Sequence, residues 1–201
     1  MDVFLETRRL RLRRFTPGDG GRLFALDSDP EVMRYLTGGV GTSHEHIENE
    51  VLPAMIDAYD RYGGLGWWAA ETAGEGGFVG WFGLHPFDAT HPGELELGYR
   101  LRREAWGRGL ATEGALALLA KAFEEFGATR VVAQTYEENA ASRRVLEKCG
   151  MQFVRSFRVG LPELVATPTY NAAAAEPFDG DDVEYAIDRG DWLRARGARE
   201  G

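Results

Sequence analysis

The chain has 201 residues, of which 44% are hydrophobic, and it carries a formal net charge of −9. This length suits one domain with a core of its own. No apolar run approaches the roughly 20 residues of a membrane-spanning helix, and the charged N-terminal segment lacks the apolar centre of a signal peptide. The single cysteine, Cys149, excludes an internal disulfide and a cysteine-based zinc cluster. We therefore expect a cytoplasmic protein with no membrane partner.

The charge is unevenly distributed along the chain. Between Arg102 and Arg158 there are 10 Lys or Arg against 7 Asp or Glu, so the acidity lies elsewhere. So acidic a chain argues against a nucleic-acid partner. A basic part facing an anionic cofactor and an acidic part facing a cationic acceptor would use this asymmetry, but acidity can equally serve solubility alone. The histidines form no convincing ligand set, and no metal is predicted; they are His44, His46, His85 and His91.

The N-terminal part predicts one strand followed by helices. Residues Arg8–Phe15 alternate Leu with Arg, which is the period of a strand with one wet face. Short helices are predicted near Arg22 and after Asp29, and Ser43 can cap a longer helix that reaches Tyr62.

The remainder of the chain alternates between strand and helix signals. Three strand-like runs separated by Gly-rich or Pro-containing turns predict an antiparallel meander over Trp67–Glu71, Gly77–His85 and Leu95–Leu101. The segments after the meander predict, in order, a helix at Leu110–Phe126, a strand at Arg130–Thr135, a helix at Asn139–Lys148 and strands at Met151–Val159 and Val183–Ile187.

Two further segments lack a clear period. Residues 160–182 contain prolines, an alanine run and an acidic cluster, which predict a loop or lid insertion, and residues 191–201 read as a polar tail. We expect a single domain over residues 1–201 of the α/β (α+β) class. Its sheet is predicted to be mixed and mostly antiparallel, with about seven strands and with helices on both faces.

The segment from Glu94 to Phe153 carries the chemical signal. A strand leads through a short turn to Gly107-Arg108-Gly109 and directly into a helix. Glycines let the backbone approach a phosphate, the first amides of the helix point the same way, and the helix dipole favours an anion. The loop lacks the Gly-Lys-Ser/Thr of nucleotide P-loops and the GxGxxG of dinucleotide folds. The pattern therefore predicts an anion site of another kind.

The run from Trp106 to Gly114 resembles the pyrophosphate-binding motif of the GNAT N-acetyltransferases, Gln/Arg-x-x-Gly-x-Gly/Ala. Here the motif reads Trp106-x-x-Gly109-x-Ala111, with Trp at the first position. The block Asn139–Met151 is similar to the N-x-x-S-x-x-x-L-E-K-x-G-F signature of the branch that acetylates N-terminal alanines of ribosomal proteins. The opening segment Leu5–Phe15 also resembles that branch, so the likeness covers nearly the whole chain except residues 160–182.

The resemblance implies a site for acetyl-CoA as acyl donor, without a metal. Pantetheine would lie where the strand Leu97–Leu101 splays from the strand Val131–Thr135, and Gly98 would mark a bulge or a close backbone approach. The residues implied in cofactor binding are Leu97, Gly98, Tyr99, Leu101, Trp106, Gly107, Arg108, Gly109, Leu110, Ala111, Thr112, Asn139, Ser142 and Arg143.

The reaction requires a base for the amine and a proton for the leaving thiolate. Glu94 and Glu96 share a strand face, and in this family a glutamate at the position of Glu96 commonly acts through water. Many GNAT members use a tyrosine as the acid, but Leu146 occupies that position, and the branch resemblance points to Ser142 instead. Glu96 can also be an ordinary solvated residue, and Ser142 can merely satisfy backbone groups in a first helical turn.

The prediction is an N-acyltransferase that moves an acetyl group from acetyl-CoA to a primary amine by direct attack. The acceptor is left open between a small molecule and a protein N-terminus, and the chain is expected to be a monomer or a homodimer. A non-catalytic acyl-CoA sensor or assembly module is the alternative, and a plain interaction domain with an empty glycine loop is a third possibility.

Overall fold

A computed structural model of the chain describes residues 2–74, 76–88, 90–158 and 178–200, with side chains up to residue 197. Its strands are β1 (Val3–Glu6), β2 (Leu10–Arg14), β3 (Gly66–Thr72), β4 (Phe78–Pro86), β5 (Glu94–Leu101), β6 (Arg130–Tyr136), β7 (Gln152–Phe157) and β8 (Asp182–Asp188). Its helices are α1 (Gly20–Asp27), α2 (Pro30–Thr37), α3 (His44–His46), α4 (Leu52–Arg61), α5 (Leu110–Glu124), α6 (Ala140–Lys148) and α7 (Arg189–Glu200). A π-helical turn, Ile47–Val51, joins α3 to α4.

The strands form one sheet in the order β1-β2-β3-β4-β5-β6-β8-β7. Every neighbouring pair is antiparallel except β5 and β6, which are parallel, so the predicted mixed and mostly antiparallel sheet is confirmed. The described residues contribute eight strands, one more than the patterns indicate. The additional strand is β1, whose four residues are too few to show an alternation; it pairs with β2 through Glu6 and Arg11.

Two other boundaries differ from expectation. Strand β7 covers Gln152–Phe157, shorter than the predicted Met151–Val159, and residues 159–177 of the predicted strand and loop lie outside the described residues. The expected polar tail forms helix α7, in which the ring of Trp192 packs 5.2 Å from the ring of Phe123. The segment has too few apolar residues to show a helical period in the sequence. No helix among the described residues is long and apolar enough to cross a bilayer.

Both faces of the sheet are covered by helices, as predicted. One core cluster lies under α5 and includes the fully buried Trp68, Phe82 and Phe123. The second lies under α1 and α4 and includes Trp67 and Trp81. Successive residues such as Trp67 and Trp68 in β3, or Trp81 and Phe82 in β4, thus point into different cores, because side chains alternate across a strand. This alternation also separates the two sets of functional groups along β5.

Helix α5 approaches the sheet at a glycine. A Cβ built on Gly114 would lie 2.3 Å from the ring of Phe82, closer than any side-chain atom can sit. Glycine here lets the helix axis come near the centre of β4. Because α5 begins in the glycine loop, this contact also fixes where the loop meets the end of β5.

A buried ion network ties β2 to β3. Arg13 is 2% exposed, donates to both carboxylate oxygens of Asp19 at 2.8 Å and lies 2.8 Å from Glu71. The prediction that the arginine face of this strand is wet is therefore wrong at Arg13, although Arg11 and Arg14 are exposed. Burial raises the pKa of Asp19, but hydrogen bonds from Arg13 and Thr16 more than offset this and bring the pKa to about 2.

We expect Asp19→Asn to lower the free energy of unfolding by about 3 kcal/mol at neutral pH, because Arg13 keeps its buried charge with a weaker partner. The depressed pKa of Asp19 means that its contribution is present above about pH 4 and is lost as the pH falls towards 2. Urea unfolding at several pH values should therefore show the variant and the wild type converging in acid.

The control for this measurement is Asp2→Asn. Asp2 is 78% exposed and lies 3.7 Å from Arg14, so its replacement should change the unfolding free energy by no more than about 0.5 kcal/mol. An Asp19→Asn variant as stable as this control would contradict a structural role for the network.

Candidate active site

The two parallel strands of the sheet separate after three paired positions. Strand β5 pairs with β6 only at Glu94–Arg130, Leu95–Val131 and Glu96–Val132. Beyond this point β5 continues beside β4, and β6 continues beside β8. A gap therefore opens between residues 97–101 and 133–136, which is the splay that the resemblance implies. Backbone groups of β5 that face the gap have no strand partner among the described residues and can bind a ligand.

Several predicted site residues meet this gap only through their backbone. The side chains of Leu97, Leu101 and Leu110 are 2%, 5% and 2% exposed and belong to the core under α5. Gly98 lies in unbroken register opposite Gly83, so the bulge considered for this position is absent. A Cβ at Gly98 would lie 3.6 Å from the ring of Trp81, an ordinary van der Waals contact, so packing against Trp81 does not require a glycine there.

The glycine loop presents the uncapped start of α5. Gly107 and Gly109 have φ values of 69° and 74°, in the left-handed region that glycine adopts without strain. Gly109 is the N-cap residue, and no side chain caps the helix. The amides of the next three residues, Leu110, Ala111 and Thr112, have no acceptor within the helix by its geometry. They form a donor set suited to an anion.

Trp106 and Arg108, both predicted to bind the cofactor, lie in or beside the glycine loop. The Trp106 indole donates to the carbonyl of Leu101 at 2.8 Å, which anchors the loop to the end of β5. The exposed Arg108 borders a shallow cavity of about 240 Å³ together with Arg102. A second cavity of about 200 Å³ lies between β7 and β8, away from the gap, and no predicted site residue lines it.

Sequence reasoning missed two residues beside the loop. Arg9, in the turn between β1 and β2, forms an ion pair with Glu113 at 2.6 Å and donates to the carbonyl of Arg108 at 2.7 Å. The residues are far apart in sequence, and no periodicity links them.

Tyr99 and Ser142 form a hydroxyl pair across the gap. Their oxygens lie 3.0 Å apart, and the Tyr99 hydroxyl also lies 3.3 Å from the Ser142 carbonyl. Burial raises the pKa of Tyr99 well above its usual range, which keeps the phenol protonated. The structure thus brings Ser142 together with Tyr99, which the sequence analysis names as a cofactor-binding residue and ranks below Ser142 as a proton donor.

The other two residues predicted in this block have protein partners. The Asn139 side chain accepts from the amide of Ser142 at 3.2 Å and so caps α6. Arg143 donates to the Tyr185 hydroxyl at 3.1 Å and to the Glu137 carbonyl at 3.0 Å. Their first role is therefore to hold the helix that carries Ser142.

Glu96 lies on the opposite face of β5 from Tyr99. It sits directly across from His85 of β4, and the His85 ring lies 4.5 Å from the ring of Trp67. No hydrogen bond holds the partly buried Glu96 carboxylate among the described residues. Burial raises the pKa of Glu96, the positive charge that His85 can carry lowers it, and the negative charge of Glu184 raises it.

Glu184 adds a second carboxylate to this face. It is 6% exposed, pairs in register with Gln134 of β6 and accepts from Arg155 at 2.9 Å. Glu94 shares the face of Glu96 but lies at the start of β5, where the strands are still paired. The gap thus has a carboxylate face and a hydroxyl face, separated by the backbone of one strand.

Comparison with known proteins identifies this arrangement. Residues 9–152 match the model of the acetyltransferase (GNAT) domain. The chain belongs to the GNAT acetyltransferase family. The matched range includes Arg9, the whole glycine loop and the hydroxyl pair of Tyr99 and Ser142. Members of this family are acetyltransferases that use acetyl-CoA as the donor.

Relatives of this acetyltransferase support the assignment. The FsC-acetyl coenzyme A-N(2)-transacetylase of Aspergillus fumigatus is 33% identical over 94% of the chain and 78% of its own length. The N-acetyltransferase YoaA of Bacillus subtilis is 32% identical over 76% of the chain and 84% of its own length. A GNAT-family acetyltransferase structure from Bacillus anthracis superposes with a TM-score of 0.72 and 25% identity, over 94% of this chain and 99% of that one.

We expect Gly109→Trp to raise the Kd for CoA by more than about tenfold, because a bulky side chain would cover the amides at the start of α5. The matched control is Gly127→Trp. Gly127 has a φ of 66° at the other end of α5, and a Cβ there would meet nothing within 4 Å. Both variants carry a similar cost in backbone strain. Calorimetric titration with CoA should separate them, and equal losses would contradict the anion site.

Proposed function

We propose that this acetyltransferase moves the acetyl group of acetyl-CoA to a primary amine by direct attack, with Glu96 as base and the Tyr99–Ser142 pair as acid. The observation that carries the proposal is the arrangement on β5. The carboxylate and the hydroxyl pair lie on opposite faces of one strand, beside the gap that opens after Glu96. An acyl transfer needs both proton acceptor and proton donor within reach of one reacting centre.

The residues present fit acetyl-CoA. The uncapped start of α5 offers amides to the pyrophosphate, with Arg108 at the border of the loop. The free backbone edge of β5 beyond Glu96 offers amide and carbonyl groups to pantetheine, whose own amides extend like a peptide. When bound, acetyl-CoA supplies the activated thioester.

The environment of Glu96 supports its role as base. An acceptor amine is protonated at neutral pH and must lose a proton before it attacks. A carboxylate with a raised pKa is a better proton acceptor than an ordinary glutamate, and within the described part of the chain no hydrogen-bond donor competes for the Glu96 carboxylate. The proton passes from the ammonium to Glu96, directly or through one water, and the neutral amine attacks the thioester carbonyl.

The hydroxyl pair supports a role in protonating the leaving thiolate. The Ser142 hydroxyl lies in the first turn of α6 beside the gap, and Tyr99 backs it at 3.0 Å. A proton given by Ser142 to the sulfur can be replaced from the Tyr99 phenol, and the second proton that the nitrogen loses as the amide forms returns to the hydroxyl pair. Many GNAT members have a tyrosine as the acid at the position of Leu146. In this chain the Tyr99–Ser142 pair would fill that role.

We infer that the acceptor is a primary amine carried into the site as an ammonium. Glu96 places a carboxylate on the acceptor face, and Glu184, which is paired with Arg155, lies on the same face. The branch resemblance favours a protein N-terminus, whereas the relative from Aspergillus fumigatus is named for transfer to N(2) of FsC. An acceptor screen with peptides and small polyamines that measures thiol release decides between these classes.

We expect Glu96→Gln to lower kcat about 100-fold or more while leaving the Kd for CoA unchanged. Because the pKa of Glu96 is raised, wild-type activity should climb with pH through a limb above the usual glutamate range, and the variant should lack this limb. The control is Glu94→Gln, on the same strand face. Activity at each pH is measured as thiol release, and a fully active Glu96→Gln enzyme would exclude this base.

For the acid, we expect Tyr99→Phe and Ser142→Ala each to lower kcat about 10- to 100-fold. If the two hydroxyls form one relay, the double variant should be no slower than the slower single variant, because removing either breaks the same path. The loss should also shrink with an acetyl thioester whose thiol is more acidic. Multiplicative losses in the double variant would instead assign the hydroxyls independent roles.

A non-catalytic acyl-CoA sensor would give a different result in the same assays. It would bind CoA at the glycine loop but release no thiol with any amine. Calorimetry followed by the acceptor screen therefore separates the transferase from the sensor, since only the second measurement depends on Glu96.

A further inference from the structure

A carboxylate lies where the proposed pyrophosphate site needs positive charge. Glu113 belongs to the first turn of α5, and its side chain is 19% exposed. An anion at that position suits an empty helix N-terminus, but it repels a phosphate bound to the same amides. The site therefore requires that the charge of Glu113 be neutralised from within the protein.

The turn between β1 and β2 supplies that neutralisation. The guanidinium Nε of Arg9 donates to Glu113 Oε2 at 2.6 Å, and the backbone amide of Arg9 donates to Oε1 at 2.9 Å. The hydroxyl of Thr7 donates to the same Oε1 at 2.7 Å. These hydrogen bonds outweigh the effect of burial and lower the pKa of Glu113, so the carboxylate stays ionised and paired.

The same arginine reaches the glycine loop. Arg9 Nη1 donates to the carbonyl of Arg108 at 2.7 Å. In a trans peptide the N–H points away from the C=O, so a carbonyl held towards Arg9 directs the following amide, that of Gly109, to the other side. Arg9 Nη2 lies 3.4 Å from where a Cβ of Gly109 would stand, which leaves one edge of the guanidinium beside the helix start.

We propose that Arg9 is a positioning residue for the pyrophosphate of acetyl-CoA. Fixed by Glu113 and Thr7, it cancels the only first-turn carboxylate of α5 and holds the Arg108–Gly109 peptide with its amide turned towards the anion. The inference rests on the proposed acetyl-CoA site. It adds to that site Arg9, which is the first residue of the range that matches the family model. Its effect falls on the nucleotide part of the donor and not on the thioester chemistry.

The test compares Arg9→Met with Arg11→Met, using CoA and acetyl-pantetheine as probes. Arg11 lies two residues further along the chain, in β2, and makes an exposed ion pair with Glu6 at 2.7 Å, so its replacement matches the change in charge and size. Acetyl-pantetheine carries the thioester but no pyrophosphate. Calorimetry gives the Kd for CoA, thiol release gives kcat/KM for acetyl-pantetheine, and thermal unfolding reports folding.

We expect Arg9→Met to raise the Kd for CoA about tenfold or more, while kcat/KM with acetyl-pantetheine stays within about twofold of the wild type. Arg11→Met should leave both values unchanged. Adding Glu113→Gln to Arg9→Met should recover part of the CoA affinity, because the uncompensated carboxylate is removed. Arg9→Lys, which keeps the charge without the planar fork, should give an intermediate Kd.

Three outcomes would overturn the inference. A Kd for CoA unchanged in Arg9→Met would show that the contact has no influence on the anion site. Equal losses with CoA and acetyl-pantetheine would assign Arg9 a general structural role. If Arg9→Met does not fold, Arg9→Lys carries the test, and wild-type CoA affinity in that variant would be decisive against the proposal. A wild-type protein that binds no CoA would instead refute the proposed acetyl-CoA site itself.

Discussion

The site depends on a backbone constraint, the separation of β5 from β6 after three paired residues. A β-strand with a neighbour on each side has no free backbone hydrogen bonds, so a sheet interior cannot ordinarily bind an extended ligand. Here β5 remains attached to β4 along its whole length, and β6 is held by β8. The open edge is therefore rigid on both sides. The same divergence brings the start of α6, and with it Ser142, to the gap opposite Tyr99.

The alternation of side chains along β5 places the carboxylate of Glu96 and the hydroxyl of Tyr99 on opposite faces of the strand. Tyr99 points towards the core under α5 and meets Phe82 and Ser142. Glu96 lies on the other face, opposite His85 and near Glu184. A reacting carbonyl at the gap would thus have its proton acceptor and its proton donor on different sides. In the proposed function this separation would keep the base, Glu96, from accepting a proton directly from the acid, and it follows from the period of two in a strand.

Charged groups lie in two places beside the gap, one at the glycine loop and the other on the acceptor face. Close to the loop, the helix start favours an anion, and Arg9 compensates the charge of Glu113. On the acceptor face, Glu96 favours a cation, whereas the charge of Glu184 is paired with Arg155. Burial of Arg13 with Asp19 and Glu71 serves a different purpose, since it joins strands and faces neither substrate.

The sequence by itself determined the class of the fold, the antiparallel meander, the glycine loop leading into a helix, and the family resemblance. These features are local: strand and helix periods, glycine spacing and short motifs all fall within about 20 residues. The extra strand β1 was not predicted because four residues are too few to show an alternation, and the helix α7 was not predicted because it has few apolar positions. Only the tertiary structure decided that Arg9 meets Glu113 across 104 positions and that Tyr99 meets Ser142 across 43. It also decided that Arg13 is buried and that Glu96 lies across from His85. Such contacts are set by the packing of elements distant in sequence, and no pattern within one element encodes them.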